Sequence, residues 1–350
     1  MTKAIALFSG GLDSTLAILA VLKQGIDVTA ITFLNHFGCN IGDRSSCSKD
    51  PFAASIKFGF IVKLAHLSDR FMEIVKNPKF GYGKNMNPCI DCRILMLKEA
   101  MELMKMTGAD FLVTGEVLGQ RPMSQRRDTF PVIDREAGVS GYVLRPLSAK
   151  LMKPTVPEES GIVKRESLYD FNGRSRKPQI ALAREFGLTE YAAPAGGCLL
   201  TDPIYAYRLK ELFEDSKDPD YRDLNLLRIG RHFRVSPGSK IIVGRNIEEN
   251  NKLKLIADRE HYRMTVDGHG SPTTIITGLP DDETLHVAAS LCARYSDAKD
   301  LPSVKVTVSR RNDSFLMEVR PADEETITGF RIEKKIKRRV QANKANPVRL

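Results

Sequence analysis

The chain has 350 residues, with 53 lysines and arginines against 43 acidic residues, which gives a formal net charge of +10 at pH 7. This length is enough for two or three domains, each with its own hydrophobic core. No apolar run approaches the ~18–20 residues that a membrane-spanning helix needs, and the amino terminus has no signal-peptide pattern. We therefore expect a cytoplasmic protein that contacts no membrane. The positive charge favours a polyanionic partner, or reflects only a basic surface.

The first half of the chain alternates short apolar strands with helical patterns. The predicted strands are Lys3–Phe8, Asp27–Phe33, Phe60–Leu64, Ala109–Thr114 and Tyr142–Leu147, and the predicted helices are about Asp13–Lys23, Cys89–Met106 and Lys177–Phe186. This alternation predicts an α/β fold, a doubly wound and mainly parallel sheet with helices on both faces. We assign residues 1–203 to this domain.

The pattern changes after residue 203. A helical stretch over Ile204–Glu214 and the turn-rich string SKDPDYRD predict a linker over residues 204–225. Several strand-like runs and one helix, Asp282–Tyr295, follow. They predict a smaller α+β domain over residues 226–325, with a strongly cationic tail over residues 326–350.

A glycine turn follows the first predicted strand. Two adjacent glycines let backbone N–H groups approach an anion at the start of a helix, and a nearby carboxylate suits Mg²⁺. The predicted phosphate loop consists of Ser9, Gly10, Gly11, Leu12, Asp13, Ser14 and Thr15. No lysine lies in the loop, so it is not the Walker A motif. The alternative is an ordinary strand–helix turn capped by Asp13 or Ser14.

The string SGGLDST resembles the PP-loop of the ATP-pyrophosphatase superfamily. Members of that superfamily cleave ATP between the α and β phosphates and use the adenylyl group to activate a carbonyl oxygen. The resemblance implies that ATP and Mg²⁺ are cofactors, with Asp13 holding the metal ion.

Three cysteines suggest sulfur or metal chemistry. Cys89 and Cys92 form a CxxC pair at the start of a predicted helix, and Cys198 ends the small-residue string AGGC. Three thiolates suit a [4Fe–4S] cluster that leaves one iron free. Two alternatives stay open. One is structural zinc, with Cys39 or Cys47 as a further ligand. The other is a persulfide on Cys198 that Cys92 resolves without a metal.

The surroundings of these cysteines resemble two families that thiolate tRNA. NPCIDC followed by a helix resembles the cysteine-bearing helix of the tRNA 2-thiouridylase family. TGEVLGQ at residues 114–120 and LRPL at residues 144–147 resemble the tRNA 4-thiouridine synthetase family. Over residues 1–203 the resemblance implies a tRNA-uridine sulfurtransferase that adenylates a uridine carbonyl oxygen and replaces it with sulfur. It also implies sulfide, or the persulfide of a cysteine desulfurase, as the sulfur donor.

The resemblance also assigns roles to particular residues. It implies that Asp13, Cys89, Cys92 and Cys198 are catalytic, and that the three cysteines hold the cluster. Beyond the phosphate loop, the candidates for the nucleotide or base pocket are Phe33, Gly115, Glu116, Gln120 and Arg145. The alternative for Glu116 is a polar residue at the end of a strand.

The second half of the chain carries an RNA-binding signature. The string SPGSKIIVGRNIEENNKL, at residues 236–253, resembles the RNA-binding domain of the NFACT family. We predict tRNA as the partner, with a homodimer as a possibility. The RNA-contact candidates are Arg126, Arg127, Arg245, Lys334, Lys335 and Arg338, with Ser124 and Gln125 beside the first two. The basic tail could also be a merely solvated end.

Two other functions compete with tRNA thiolation. A PP-loop amidotransferase or ligase acting on another nucleoside or small molecule would need no sulfur-bearing cysteines. A non-catalytic protein that senses nucleotides and binds RNA would need neither an intact phosphate loop nor the three cysteines.

Overall fold

The computed structural model describes residues 2–38, 51–191, 198–216 and 218–332. The chain divides into two compact units, Met1–Asp202 and Pro203–Leu350. Within the described residues, no helix is long and apolar enough to cross a membrane.

The first unit is built on a five-stranded parallel sheet. Its strands are β1 (Lys3–Leu7), β2 (Asp27–Leu34), β3 (Ile61–His66), β4 (Phe111–Thr114) and β5 (Val143–Leu144). Its helices are α1 (Leu12–Leu22), α2 (Pro51–Phe58), α3 (Ser68–Lys76), α4 (Cys89–Thr107), α5 (Thr129–Ala137), α6 (Val156–Glu159) and α7 (Lys177–Glu185). The strand order is β3-β2-β1-β4-β5, and every neighbouring pair is parallel. The predicted doubly wound sheet is confirmed.

The central strand β1 shows why helices cover both faces. Successive side chains of a strand point to opposite faces, so Ala4 and Ala6 pack against α1 while Ile5 and Leu7 pack against α4. Each fully buried aliphatic side chain contributes roughly 1.5–3 kcal/mol. A strand buried on both faces therefore has to be apolar throughout, as the run AIAL in β1 is.

Strand β5 is shorter than the predicted Tyr142–Leu147, because the structure pairs only Val143 and Leu144 with β4. Pro146 has no N–H to donate to the ladder. The neighbouring Arg145 turns its side chain into a buried ionic network. Those two residues end the strand early.

The second unit is a six-stranded antiparallel sheet with helices. Its strands are β6 (Arg231–Phe233), β7 (Ser239–Val243), β8 (Tyr262–Val266), β9 (Thr274–Gly278), β10 (Val304–Arg310) and β11 (Asp313–Val319), in the order β11-β10-β8-β9-β7-β6. Its helices are α8 (Pro203–Asp215), α9 (Tyr221–Leu226), α10 (Ile247–Ile256), α11 (Asp282–Arg294) and α12 (Glu324–Phe330). The predicted second domain of α+β type is confirmed.

The two faces of this sheet are covered by different helices. Helix α11 packs over one face, with Cys292 fully buried as expected for a core residue. Leu226 of α9 and Leu253 of α10 cover Ile242 and Ile275 on the other. The segment predicted as a linker holds α8 and α9. Arg208 of α8 donates hydrogen bonds to the carbonyl oxygens of Leu227 and Gly230, so α8 is fixed to the start of this unit.

Candidate active site

The phosphate loop joins β1 to α1. Gly10 has a φ of +70°, in the left-handed region that favours glycine. The hydroxyls of Ser14 and Thr15 donate to the carbonyl oxygen of Gly11 at 2.9 and 3.0 Å. These two hydrogen bonds within the loop stabilise its conformation. The first N–H groups of α1 have no partner inside the helix, so they are available to an anion.

Gly115 lies against this loop. Thr114, the last residue of β4, is in register with Leu7, the last residue of β1. A Cβ atom at position 115 would overlap the backbone nitrogen and Cα of Ser14, so only glycine fits. The chain runs from β1 outward through β2 and β3 and then crosses to β4. The loop therefore lies at the switch point where ligands of doubly wound sheets bind.

Gln120 contacts the loop carboxylate. Its Nε2 donates to Oδ2 of Asp13 at 3.0 Å, although the two residues are 107 positions apart. The other oxygen, Oδ1, is buried and has no hydrogen-bond partner in the part of the chain that the structure describes. A buried carboxylate oxygen without a donor fits a hard cation such as Mg²⁺. Asp13 therefore suits the role predicted for it.

Glu116 and Arg145 lie in a buried ionic network rather than on an open surface. Arg145 Nε donates to Oε2 of Glu116 at 3.0 Å, and its terminal nitrogens bind both oxygens of Asp134 in α5 at 2.7 and 3.0 Å. Arg93 Nε lies 3.1 Å from Oε1 of Glu116. Burial acts to raise the pKa of Glu116, but Arg93 and Arg145 outweigh it, and the pKa is lowered. The network ties the start of α4 to the end of β4.

Replacing Arg145 with methionine is expected to lower the free energy of unfolding by about 3–5 kcal/mol. Removing one partner of a buried ion pair leaves the other charges uncompensated, here on Asp134 and in part on Glu116. Urea denaturation followed by circular dichroism measures the change. Arg126→Met is the matched control, because the Arg126–Asp128 pair is exposed and should contribute little. A loss no larger than that of the control contradicts the role of the network.

Phe33 lies near the carboxyl end of β2, on the face that α4 covers. Its side chain is partly buried against the cluster that includes Ile31 and Ile94. The structure therefore places it at the same edge of the sheet as the phosphate loop. No hydrogen bond links it to the residues of that loop.

Backbone contacts bring Cys198 to the cysteine pair. Asn85 Nδ2 donates to the carbonyl of Thr201 at 2.7 Å, and Met86 N donates to that of Leu200 at 3.2 Å. Leu199 N and the Cys198 thiol both donate to the carbonyl of Phe37, at 3.1 Å each. The turn before Cys89 therefore holds the segment after Cys198, and Cys198 itself lies against Phe37 in the chain that leaves β2.

Burial and neighbouring groups shift the pKa values of two of the three thiols. Burial is the main reason that the pKa of Cys92 is raised to about 12; Arg93 and Arg121 lower it, whereas Cys198 and Cys89 raise it. Burial also raises the pKa of Cys89, against the effect of Arg121 and Arg93. Such thiols are weak nucleophiles until a metal or base takes their proton.

The donor type suits an iron–sulfur cluster, since thiolates are its usual protein ligands. Among the residues that the structure describes, no three His, Cys, Asp or Glu side chains are already arranged to hold a metal ion. Cys39 and Cys47, the further ligands considered for zinc, lie outside the described residues.

The RNA-contact candidates have different surroundings. Arg126 pairs with Asp128, and Arg127 donates to the carbonyl of Leu151; both are exposed. Together with Leu118, Gly119, Asp128 and Asn172, they line an open depression beside Gln120. Arg245 pairs with Glu249 along α10. Lys334, Lys335 and Arg338 lie outside the described residues.

One part of the RNA-contact prediction is wrong. Ser124 and Gln125 are each only 3% exposed, so their side chains cannot bind RNA phosphate. The turn that contains them is folded inward, since Gly119 N donates to the carbonyl of Gln125 at 2.7 Å.

Sequence reasoning missed two arginines beside the thiols. Arg93 directly follows Cys92, and Arg121 directly follows Gln120. The sequence could have indicated both arginines, because each directly follows a residue already identified as a site candidate. Asp91, inside the CxxC pair, accepts hydrogen bonds from the backbone N–H groups of Lys79 and Phe80, so its role there is structural.

Together, the parallel sheet and the glycine loop after its first strand define an α/β domain with an anion-binding turn at its switch point. Residues 1–153 match the family model described as thiamine biosynthesis protein (ThiI). Residues 230–331 match the model of the NFACT protein RNA binding domain. Both resemblances inferred from the sequence are confirmed for these parts of the chain.

Curated relatives are named as tRNA thiouridylases. The tRNA-specific 2-thiouridylase MnmA 2 of Thermoanaerobacter sp. (strain X514) is 25% identical over 292 residues, 78% of this chain and 74% of the relative. The bifunctional protein NifU/MnmA of Rubrobacter xylanophilus is 30% identical over 162 residues, 43% of this chain and 32% of the relative. A solved 4-thiouridine synthetase–RNA complex with bound ATP is 22% identical with a TM-score of 0.36, covering 65% of this chain and 52% of that one.

Proposed function

We propose that the chain is an ATP-dependent tRNA-uridine sulfurtransferase. The observation that carries this proposal is that one domain contains both the phosphate loop and the cysteine-bearing segments. The phosphate loop with Asp13 lies at the switch point of the sheet, and the turn before Cys89 holds the segment that carries Cys198. Arg93, next to Cys92, is joined through Glu116 to the end of β4 beside that loop. The similarity to enzymes named as tRNA thiouridylases agrees with it.

The first step would be adenylation of the base. The uridine carbonyl oxygen forms a bond to the α-phosphorus of ATP while the bond to the β-phosphate bridging oxygen breaks, and pyrophosphate leaves with the electron pair. The ring nitrogen next to the carbonyl loses its proton. The backbone N–H groups at the start of α1 would bind the pyrophosphate. Asp13 would hold Mg²⁺, which stabilises the charge on the leaving group. Gln120 orients Asp13.

The second step would be sulfur transfer. Hydrosulfide forms a bond to the activated carbon. With a persulfide donor, the outer sulfur would form that bond as AMP leaves, and a second thiol would then attack the inner sulfur, breaking the S–S bond and forming a disulfide. With hydrosulfide, the bond from that carbon to the AMP oxygen breaks, AMP leaves with the electron pair, and the proton of hydrosulfide returns to the ring nitrogen. The domain has to keep the activated base beside the sulfur source, because proximity replaces a slow encounter in solution.

Cys89, Cys92 and Cys198 would hold a [4Fe–4S] cluster. Such a cluster supplies an iron without a protein ligand, which can carry the sulfide to be transferred. A cluster would use all three cysteines, whereas the persulfide alternative needs only Cys198 and Cys92. The product would be 4-thiouridine or 2-thiouridine.

The second unit would hold the tRNA. Residues 230–331 match an RNA-binding domain, and the net charge of +10 suits a polyanion. Within the first unit, Arg126 and Arg127 would bind phosphates of the RNA at the depression beside Gln120. We propose the functional limits 1–203 for the thiolation domain and 226–325 for the RNA-binding domain.

The test is a reaction of protein purified without oxygen with ATP, Mg²⁺, sulfide and unmodified tRNA. We expect thiouridine in the digested tRNA, with one AMP and one pyrophosphate formed for each thiouridine. If AMP forms with a free nucleoside or a small carboxylate and never with tRNA, the protein is a different PP-loop ligase. If no nucleotide is consumed, it is a non-catalytic RNA-binding protein.

A further inference from the structure

Arg121 lies between the phosphate loop and the cysteine helix. It follows Gln120, whose amide contacts Asp13. Two positions later, Met123 packs against Gly83, where a Cβ atom would overlap the Met123 sulfur. Gly83 belongs to the turn that leads to Cys89, and its N–H donates to the carbonyl of Asn87 at 2.9 Å. The segment from Gln120 to Met123 therefore spans from one reaction centre to the other.

The charge of Arg121 is not neutralised within the described residues. Two arginines act on the thiols of Cys89 and Cys92. Arg93 is paired with Glu116 and mostly buried. Arg121 is exposed, and in the part of the chain that the structure describes no carboxylate lies within 4.0 Å of it. It is the cation of the pair without a carboxylate partner among the described residues, and it lies on the segment that joins the Gln120–Asp13 contact to the Met123–Gly83 contact.

We propose that Arg121 binds the phosphate of the adenylated uridine and stabilises AMP as it leaves during sulfur transfer. The inference rests on the proposed function and assigns one of its steps to a residue. When the bond between the base carbon and the AMP oxygen breaks, that oxygen gains charge, and a cation already in place lowers the barrier.

The shape of the side chain favours a phosphate over hydrosulfide. A guanidinium group offers two parallel N–H donors that match two oxygens of a phosphate, whereas hydrosulfide has one small acceptor atom. A phosphate of the tRNA backbone has the same chemistry as the adenylate phosphate. Kinetics separate these two sources, because backbone contacts act on tRNA affinity and adenylate contacts act on the rate of the sulfur step.

The experiment compares the full-length chain with its Arg121→Gln and Arg121→Lys variants. In Arg121→Gln we expect kcat for thiouridine formation to fall about 10²-fold, with the affinity for tRNA and the rate of pyrophosphate release in the first turnover little changed. Adenylated tRNA should accumulate in a rapid-quench experiment. Arg121→Lys should recover part of the rate, because it keeps the charge and loses the two-point geometry. Arg135→Gln, at an exposed arginine of α5, is the matched control.

Binding of AMP and adenosine gives a second measurement that needs no activity. We expect Arg121→Gln to weaken AMP binding about tenfold and to leave adenosine binding unchanged. A raised KM for tRNA with intact kcat would assign Arg121 to the RNA backbone and overturn the proposal. Unchanged kcat and unchanged AMP affinity would overturn it as well. If the parent protein makes no thiouridine but AMP binding still depends on Arg121, the proposed function fails and the phosphate site survives.

Discussion

Asp13→Asn is expected to reduce tRNA-dependent pyrophosphate formation about 10³-fold, because a metal ion at the departing phosphate is worth several kcal/mol of barrier height. Asp13 meets the requirement for this role, since one oxygen is held by Gln120 and the other is buried without a donor among the described residues. Asparagine keeps the size of the side chain and removes the charge. Pyrophosphate release at several Mg²⁺ concentrations measures the effect.

The matched control for this substitution is Asp27→Asn. Asp27 is an exposed residue at the first position of β2, at the opposite edge of the sheet from the loop. We expect it to keep parental activity and the parental Mg²⁺ dependence. If Asp13→Asn falls less than tenfold and responds to Mg²⁺ as the parent does, then Asp13 does not hold the metal ion.

Cys89→Ala and Cys198→Ala are both expected to remove thiolation, by at least about 10²-fold each, since loss of a metal ligand costs more than the 10- to 100-fold typical of outer-shell changes. Iron bound per chain should fall together with the activity. Adenylation should persist, because both substitutions leave the phosphate loop and Asp13 unchanged. Nucleoside mass spectrometry, iron analysis and first-turnover pyrophosphate release together measure these three properties.

Cys89 separates the two sulfur mechanisms. A persulfide on Cys198 resolved by Cys92 has no need of Cys89, so Cys89→Ala would then remain active and the protein would contain no iron. Cys292→Ala is the control, because that thiol is buried in the core of the second unit. It should keep both iron and activity. Equal loss in Cys89→Ala and Cys198→Ala supports the cluster, whereas an active, iron-free Cys89→Ala contradicts it.

The fold was largely predictable because it depends on local patterns. Helix α4, predicted as Cys89–Met106, spans Cys89–Thr107, and it ends at Gly108, which adopts the left-handed conformation typical of a helix end. Strand β2, predicted as Asp27–Phe33, ends one residue later. The sequence analysis did not predict the shorter helices that bury only a few apolar side chains. Helix α3, for example, buries only Phe71, Met72 and Val75.

The sequence predicted individual residues of the site, but it did not predict the contacts between them. The string SGGLDST indicated a phosphate loop, but nothing in the sequence states that Gln120 contacts Asp13. The prediction that Glu116 and Arg145 line the nucleotide pocket relied on the strings TGEVLGQ and LRPL, which resemble the tRNA 4-thiouridine synthetase family. Their partners, Arg93 and Asp134, lie on separate helices. Contacts of this kind depend on how elements pack, which a single sequence does not encode in any local pattern.

The position of Cys198 depends on the same kind of long-range contact. It is 106 residues from Cys92, and the bonds from Asn85 and Met86 to Thr201 and Leu200 bring its segment alongside the turn before Cys89. The string AGGC suggested close backbone approach. Only the structure shows which part of the chain it approaches.

The transfer of a labelled oxygen tests the central claim most directly. A tRNA transcript made with ¹⁸O at the uridine carbonyl oxygen, at C4 in one preparation and at C2 in another, is thiolated by the protein, and the AMP is weighed by mass spectrometry. If the carbonyl oxygen is adenylated, the AMP gains the ¹⁸O from one of the two preparations, which also identifies the carbonyl that is replaced. Thiouridine formed together with unlabelled AMP from both preparations would contradict the account.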